Sequence, residues 1–223
     1  MRPMVDLSGP SFGPAAGGKP RRLVMLLHGY GADGNDLLGL APHWARSLPD
    51  TEFLAPHAPF PCEAAPFGRQ WFGFEGRNEG MILAETQTAA AILQAFIDAE
   101  LARRGLAEDS LALVGFSQGT MMALHVAPRR ARAVAAVVGY SGMLIAPPLL
   151  AAEIRSKPPV LLVHGTADPV VPYASLGTAE AALRTAGIAV KTATRPGLAH
   201  AIDEEGLALG GEFIMAAFAP AKT

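Results

Sequence analysis

Short apolar runs recur along the chain, separated by polar and glycine-containing stretches. Residues 23–27 (LVMLL), 52–55 (EFLA), 111–115 (LALVG), 134–139 (VAAVVG), 159–165 (PVLLVHG) and 190–194 (VKTAT) are predicted strands. Most are apolar at every position rather than at alternate ones, the pattern of a strand covered on both faces. Between them, hydrophobic positions fall at helical spacing. The longest such run is Gly80–Arg104, where Ile82, Ala89, Ile92, Leu93, Phe96 and Ile97 repeat and Gly105 supplies a stop signal. Gln118–Ala127, Tyr173–Ala186 and Glu204–Phe218 read as further helices. Strand and helix in alternation predict an α/β protein with a mainly parallel sheet. Ligands of such a sheet bind beyond the carboxyl ends of its strands.

One junction between these elements carries chemistry. At LALVGFSQGT, residues 111–120, a predicted strand runs into Gly115-Phe116-Ser117-Gln118-Gly119 and then directly into a helix. Gly-x-Ser-x-Gly between strand and helix describes a turn too tight for side chains at its flanks, with the serine hydroxyl raised above the sheet. The helix that begins at Gln118 points its free N–H groups and its positive end at the same place, where an oxyanion would be stabilised. A serine needs a base, and the base needs an orienting acid.

The histidines after Ser117 are His125, His164 and His200. His125 lies eight residues along the helix, about 12 Å of rise, which reads as a packed helix residue. His164 falls within an apolar strand and reads as a hydrogen-bonded core histidine. His200, in RPGLAHAIDEE between the last strand and the last helix, sits where a base is needed. Asp168 follows a buried strand in a turn held by Pro169 and Pro172, and is the expected acid. Asp203, Glu204 and Glu205 are too near His200 in sequence and read as caps of the last helix. The loop LLHGYGADGNDLLGLA after the first strand is expected to bend at Gly29 and Gly31. Its Tyr30 N–H would join the Gln118 N–H in an oxyanion hole, with His28 holding the loop.

Composition narrows the classes. Half of the 223 residues are hydrophobic, enough for one substantial core, and the expected layout is a Pro/Gly-rich tail at 1–20 and a single domain at 21–223. With 18 basic and 20 acidic residues the net charge is −2, and no nucleic-acid partner is expected. The pairs Arg103-Arg104 and Arg129-Arg130 read as solvated surface. The N-terminal stretch lacks the apolar run of a signal peptide, and no apolar stretch approaches the length of a bilayer span, so a cytoplasmic address without stable membrane insertion is expected. Cys62 has no disulfide partner and is not expected to be reactive. No metal-ligand spacing is present, and neither metal nor cofactor is expected.

Taken together, LHGYGADGNDL, GFSQGTMMAL, HGTADPVVP and PGLAHAI resemble the phospholipase/carboxylesterase family of α/β-hydrolases, which includes the acyl-protein thioesterases. The resemblance spans about Leu23 to Phe218. It implies an α/β-hydrolase fold with helices on both faces of the sheet and little or no lid. It also implies a Ser117–His200–Asp168 triad, with Tyr30 and Gln118 amides as the oxyanion hole, acting on carboxylic esters, lysophospholipids or S-acylated proteins. Family members often form dimers, which makes a homodimer an expectation.

The resemblance further suggests that Trp71 lies near an acyl pocket; Phe72, Phe74, Met143 and Leu144 are candidates to line it too, with core packing the default for any one of these residues. Two features depart from the family pattern: the tail before Lys19, and Phe72-Gly73-Phe74-Glu75 after Trp71, where relatives often place an acidic residue sooner. The expected activity is a serine carboxylesterase for short to medium acyl chains. Thioester or lysophospholipid cleavage on the same triad is the alternative, and a non-catalytic binding protein on this frame is a distant one.

Overall fold

A computed structural model describes residues 7–219. Among these residues nine strands are formed: β1 (Ser11–Phe12), β2 (Arg22–Leu27), β3 (Thr51–Leu54), β4 (Phe60–Pro61), β5 (Arg69–Gln70), β6 (Leu111–Phe116), β7 (Ala136–Tyr140), β8 (Val160–Gly165) and β9 (Val190–Arg195). The helices are α1 (Gly34–Leu38), α2 (Ala41–Ala45), α3 (Glu79–Arg104), α4 (Gln118–Val126), α5 (Leu150–Glu153), α6 (Ala174–Thr185) and α7 (Glu204–Phe218). Seven strands make one sheet in the order β1-β3-β2-β6-β7-β8-β9, all parallel except β1, while β4 and β5 form a separate hairpin. This is the α/β-hydrolase fold.

Continuous apolar strands are explained by two cores. Leu23, Met25 and Leu27 of β2 and Leu111 and Leu113 of β6 pack on one face against α3, α4 and α6. The intervening Val24, Leu26, Ala112 and Val114 pack on the other against α1, α2 and α7. Strand side chains alternate between faces, so a strand with helices on both sides must be apolar throughout.

Helix ends follow local chemistry. Asn78 caps α3 by accepting the Met81 N–H at 3.0 Å, and Gly105 ends it with a left-handed φ of 69°. Asp203 caps α7 by accepting the Gly206 N–H at 2.8 Å, the role expected of it. Helix α3 is long and apolar enough by composition to cross a membrane, yet Ala89, Leu93, Ile97 and Leu101 are buried in the core of this fold.

Residues 7–16 of the expected tail lie along the edge of the sheet. Ser11 and Phe12 add an antiparallel edge strand to β3, Ala55 and His57 donate to the carbonyls of Pro10 and Ser8, and Leu7 is buried. Residues 1–6 of the expected tail lie outside the described residues. The arginine pairs are not simply solvated. The side chain of Arg104 is 3% exposed and bonds Glu52 of β3 and Glu100 of α3, and Arg130, 5% exposed, bonds Asp98. These arginines join α3 to its neighbours because their aliphatic stems pack while the guanidinium finds carboxylates.

Candidate active site

Three strand ends converge at the carboxyl edge of the sheet. After β6 the chain turns through Ser117, whose φ of 53° and ψ of −117° are a strained conformation for a residue with a side chain. The turn is held from several directions. The Ser117 N–H donates to the Tyr140 carbonyl at 2.9 Å, and the Thr120 hydroxyl lies 2.8 and 2.9 Å from the carbonyls of Gly115 and Tyr140. The flanking glycines are required by space. A Cβ on Gly119 would fall 1.8 Å from the Leu27 carbonyl oxygen, and one on Gly115 would fall 2.3 Å from the Thr120 nitrogen. The serine is therefore wedged between β6, β2 and α4, and the residue is 8% exposed.

Asp168 follows β8 and His200 follows β9. The two loops are joined: Ala167 donates to the Leu198 carbonyl at 3.0 Å, and Gly197 donates to the Thr166 hydroxyl at 2.8 Å. Across this junction His200 Nδ1 stands 2.8 Å from Asp168 Oδ2. The other carboxylate oxygen accepts the N–H groups of Val170 and Val171 at 2.8 and 2.9 Å. Burial pushes the Asp168 carboxyl up, but the hydrogen bonds from His200, Val171 and Val170 outweigh it and hold the group below its ordinary value. The His200 ring packs on Phe116, centroids 4.8 Å apart, which brings it over the residue before Ser117. The Ser117 hydroxyl has no hydrogen-bond partner among the described residues.

The loop after β2 meets the serine from the other side. A Cβ on Gly29 would lie 3.3 Å from the Ser117 Cβ, so this backbone runs directly against the serine. His28 is fully buried, with Nδ1 2.7 Å from the Gly29 carbonyl and Nε2 accepting the Ala58 N–H at 2.9 Å. That pairing fixes its neutral tautomer, and burial lowers its pKa against the pull of the Gly29 hydrogen bond. The N–H of Tyr30 has no acceptor among the described residues. The Gln118 N–H is the first of helix α4, one of the donors a helix leaves unpaired.

His164 and His125 both fall outside this pair of loops. His164 Nε2 is 2.9 Å from the Val171 carbonyl and 3.3 Å from Asp168 Oδ2, a buried histidine holding the acid loop. His125 is 2% exposed within α4 and its Nδ1 has no partner. Cys62 is a free, buried thiol. Among the described residues no three His, Cys, Asp or Glu side chains are grouped to hold a metal.

Beside the strand ends lies a largely apolar groove of about 660 Å3, lined by Phe74, Ile82, Leu83, Met143, Leu144 and the turn through Pro147 and Leu149. Gly142, the residue before the groove residues Met143 and Leu144, packs on the serine turn, where a Cβ would lie 2.9 Å from the Ser117 carbonyl oxygen. Met143, Leu144 and Phe74 line it as expected. Trp71 and Phe72 do not: both are fully buried. Trp71 donates its indole N–H to the His28 carbonyl at 3.1 Å and its backbone N–H to Gln118 Oε1 at 2.8 Å, while Gln118 Nε2 donates to the Phe72 carbonyl at 2.7 Å. The pair serves as a strut between the β2 loop and α4. Sequence alone cannot distinguish these aromatics from Phe74, since burial is decided by tertiary packing. Acidic side chains reach the backbone after Trp71 from elsewhere in the chain: Glu85 accepts the Gly73 N–H, and Glu63 those of Phe74 and Glu75.

Comparison with known proteins agrees with this fold. The sequence profile of the Phospholipase/Carboxylesterase family matches residues 14–217. Acyl-protein thioesterase 1 of Neurospora crassa is 30% identical over 195 residues, 79% of each chain. Esterase YpfH of Escherichia coli is 30% identical over 191 residues, covering 84% of this chain and 79% of its own. The crystal structure of esterase PE8 superposes with a TM-score of 0.91 at 43% identity, covering 96% of this chain and all of that one (100%). With its parallel sheet, serine elbow and edge loops, the chain belongs to the phospholipase/carboxylesterase family of α/β-hydrolases and is a hydrolase acting on esters.

Proposed function

We propose that this protein is a serine carboxylesterase for short to medium acyl chains, with Ser117 as nucleophile, His200 as base and Asp168 as orienting acid. The observation that carries the reading is the 2.8 Å contact between His200 Nδ1 and Asp168 Oδ2, beside a serine forced to a φ of 53°. Asp168 selects the tautomer of His200 that carries its proton on Nδ1, leaving Nε2 free to take the serine proton. Ser117 Oγ then adds to the ester carbonyl carbon, and the carbonyl oxygen becomes an anion stabilised by the amides of Tyr30 and Gln118. Collapse of this intermediate breaks the bond to the alcohol oxygen, which leaves with the proton from His200. Water repeats the sequence on the acyl-enzyme, releasing the acid and restoring Ser117. The groove holds the acyl chain, and its apolar wall stabilises alkyl rather than charged chains. No metal or cofactor takes part in these steps.

Thioester cleavage is the second reading, favoured by the likeness to a protein named acyl-protein thioesterase 1. The same steps apply with sulfur as the leaving atom. The test is kcat/KM on p-nitrophenyl esters from acetate to palmitate, and on an S-acyl peptide, for wild type and Ser117→Ala. The expected result is turnover of the shorter esters and a loss of roughly 10³-fold or more in the variant, about 4 kcal/mol of transition-state stabilisation. Unchanged turnover in folded Ser117→Ala would remove the serine from the mechanism. A preference for the S-acyl peptide would move the protein to the second reading.

A further inference from the structure

Glu63 lies in the loop joining β4 to β5, outside the proposed triad and its amides. Its carboxylate receives four hydrogen bonds. Oε1 accepts the Tyr30 hydroxyl at 3.2 Å and the N–H groups of Phe74 and Glu75 at 2.7 and 2.9 Å, and Oε2 accepts Arg77 Nη1 at 2.8 Å. One side chain thus grips two structures at once: the loop that carries Tyr30 and whose Gly29 runs against the serine, and the turn that places Phe74 in the groove wall. Its own loop is anchored, with the Glu63 N–H donating to Gln70 Oε1 at 2.9 Å. Arg77 extends the linkage to α3, its Nε 2.6 Å from Glu85 Oε1, and Glu85 Oε2 accepts the Gly73 N–H at 2.8 Å.

Packing joins the same two structures a second time. The Phe74 ring stands edge-on to Tyr30 at 5.4 Å and to Phe72 at 5.2 Å, although Phe74 itself is 37% exposed at the groove. Gly73 allows the turn to close, since a Cβ there would lie 2.1 Å from the Arg77 guanidinium carbon. The Glu75 and Phe74 amides, helped by Arg77 and Tyr30, hold the Glu63 carboxyl at about 2, so it is ionised throughout any ordinary assay range. Burial, with the Cys62 thiol and Glu63 nearby, pushes the Tyr30 phenol up, so that it remains the donor in this pair.

We propose that Glu63 is a positioning residue that couples the acyl groove to the oxyanion-side loop, so that a chain pressing on Phe74 fixes the Tyr30 amide for catalysis. This inference rests on the reading of Tyr30 as an oxyanion donor. Binding energy from a remote part of the substrate raises kcat only when it is used at the reacting centre, and this carboxylate provides the connection. Chain length therefore enters kcat as well as KM. The acetate ester, too short to press on Phe74, gains nothing from the coupling.

The experiment measures kcat and KM separately on p-nitrophenyl acetate and octanoate for wild type, Glu63→Gln, Tyr30→Phe and the double variant, with thermal midpoints alongside. In wild type, kcat for octanoate should exceed that for acetate. In Glu63→Gln kcat for octanoate should fall about tenfold while that for acetate changes less than about twofold; in Tyr30→Phe the octanoate-to-acetate ratio of kcat should fall by a similar factor whatever becomes of the acetate rate, and the two losses in that ratio should not multiply in the double variant. Tyr30→Phe deletes one hydroxyl and keeps the ring, so it carries the test even where Glu63→Gln folds poorly. Equal losses on both esters, an unchanged octanoate-to-acetate ratio, or losses that multiply would each overturn the coupling. A wild type inert on every ester would instead overturn the esterase reading, and the inference with it.

Discussion

His125 is an imidazole fully enclosed by helix α4 and its neighbours, and its Nδ1 finds no hydrogen-bond partner. Burial first, and then the Arg129 charge, lower its pKa to about 4, against the opposing pull of Glu153. The unfolded chain binds this proton near the ordinary histidine value of about 6.5, whereas the folded chain refuses it until about 4. Stability is therefore full above the unfolded value and is lost as the pH falls through that window. The loss attributable to this group is on the order of 3 kcal/mol. Urea unfolding of wild type and His125→Leu at neutral pH and near pH 4.5 checks this. The variant should lose markedly less stability than wild type on acidification, and parallel losses would assign the acid sensitivity to other groups. Carboxylates held below their ordinary values, Glu63, Glu85, Glu100, Asp168 and Asp203 among them, also lose stabilisation as the pH falls through the ordinary carboxylate range, but they do so in both proteins, so the difference between wild type and variant isolates His125.

At the scale of elements, two glycines within helices have opposite meanings. Gly119 of α4 touches the Leu27 carbonyl of β2, and a methyl group there would drive the helix from the sheet. Gly119→Ala should cost about 3 kcal/mol and remove most activity, since the helix start and the β2 loop must move apart. Gly177 of α6 has open space around its position, and Gly177→Ala should stabilise by roughly 0.5–1 kcal/mol through helix propensity alone. Thermal melts of both variants, with ester turnover, separate the cases. A neutral Gly119→Ala would show that the elbow tolerates displacement.

The same contrast explains what was legible in the sequence. Strands β2, β3, β6, β7, β8 and β9 and helices α3, α4, α6 and α7 announced themselves, because burial on one or two faces imposes a period on the residues. The motif around Ser117 was legible because its glycines answer a steric demand made locally. Elements α1, α2 and β1, each of five residues or fewer, are too short to show a period. The groove was half legible. Phe74, Met143 and Leu144 line it, but Trp71 and Phe72 turn inward, and Gln118, chosen for its amide, also ties them down through its side chain. Glu63 gave no signal, since its partners come from Tyr30 and residues 74–77, segments its sequence context does not point to.

For the molecule as a whole, the segment before β2 carries a specific expectation. Residues 8–16 give β3 an outer neighbour and three backbone hydrogen bonds, from Ala55 to Pro10, from His57 to Ser8 and from Ala16 to Pro49. Deleting residues 1–16 should lower stability on the order of 2 kcal/mol and expose an unpaired strand edge that promotes association. Denaturant midpoints and light scattering measure both. An unchanged midpoint would make residues 1–20 the dispensable tail that their composition suggested.

The parallel sheet also gives the molecule two unlike ends. Ser117, Asp168 and His200 follow the ends of β6, β8 and β9, while the lysines lie toward the beginnings of strands. Lys19 comes before β2, Lys157 before β8, and Lys191 is the second residue of β9, all three exposed. The remaining lysine, Lys222, is outside the described residues. A resin that couples through Lys19, Lys157 or Lys191 would thus take hold of the protein by its far end and present the groove outward to the flowing solution.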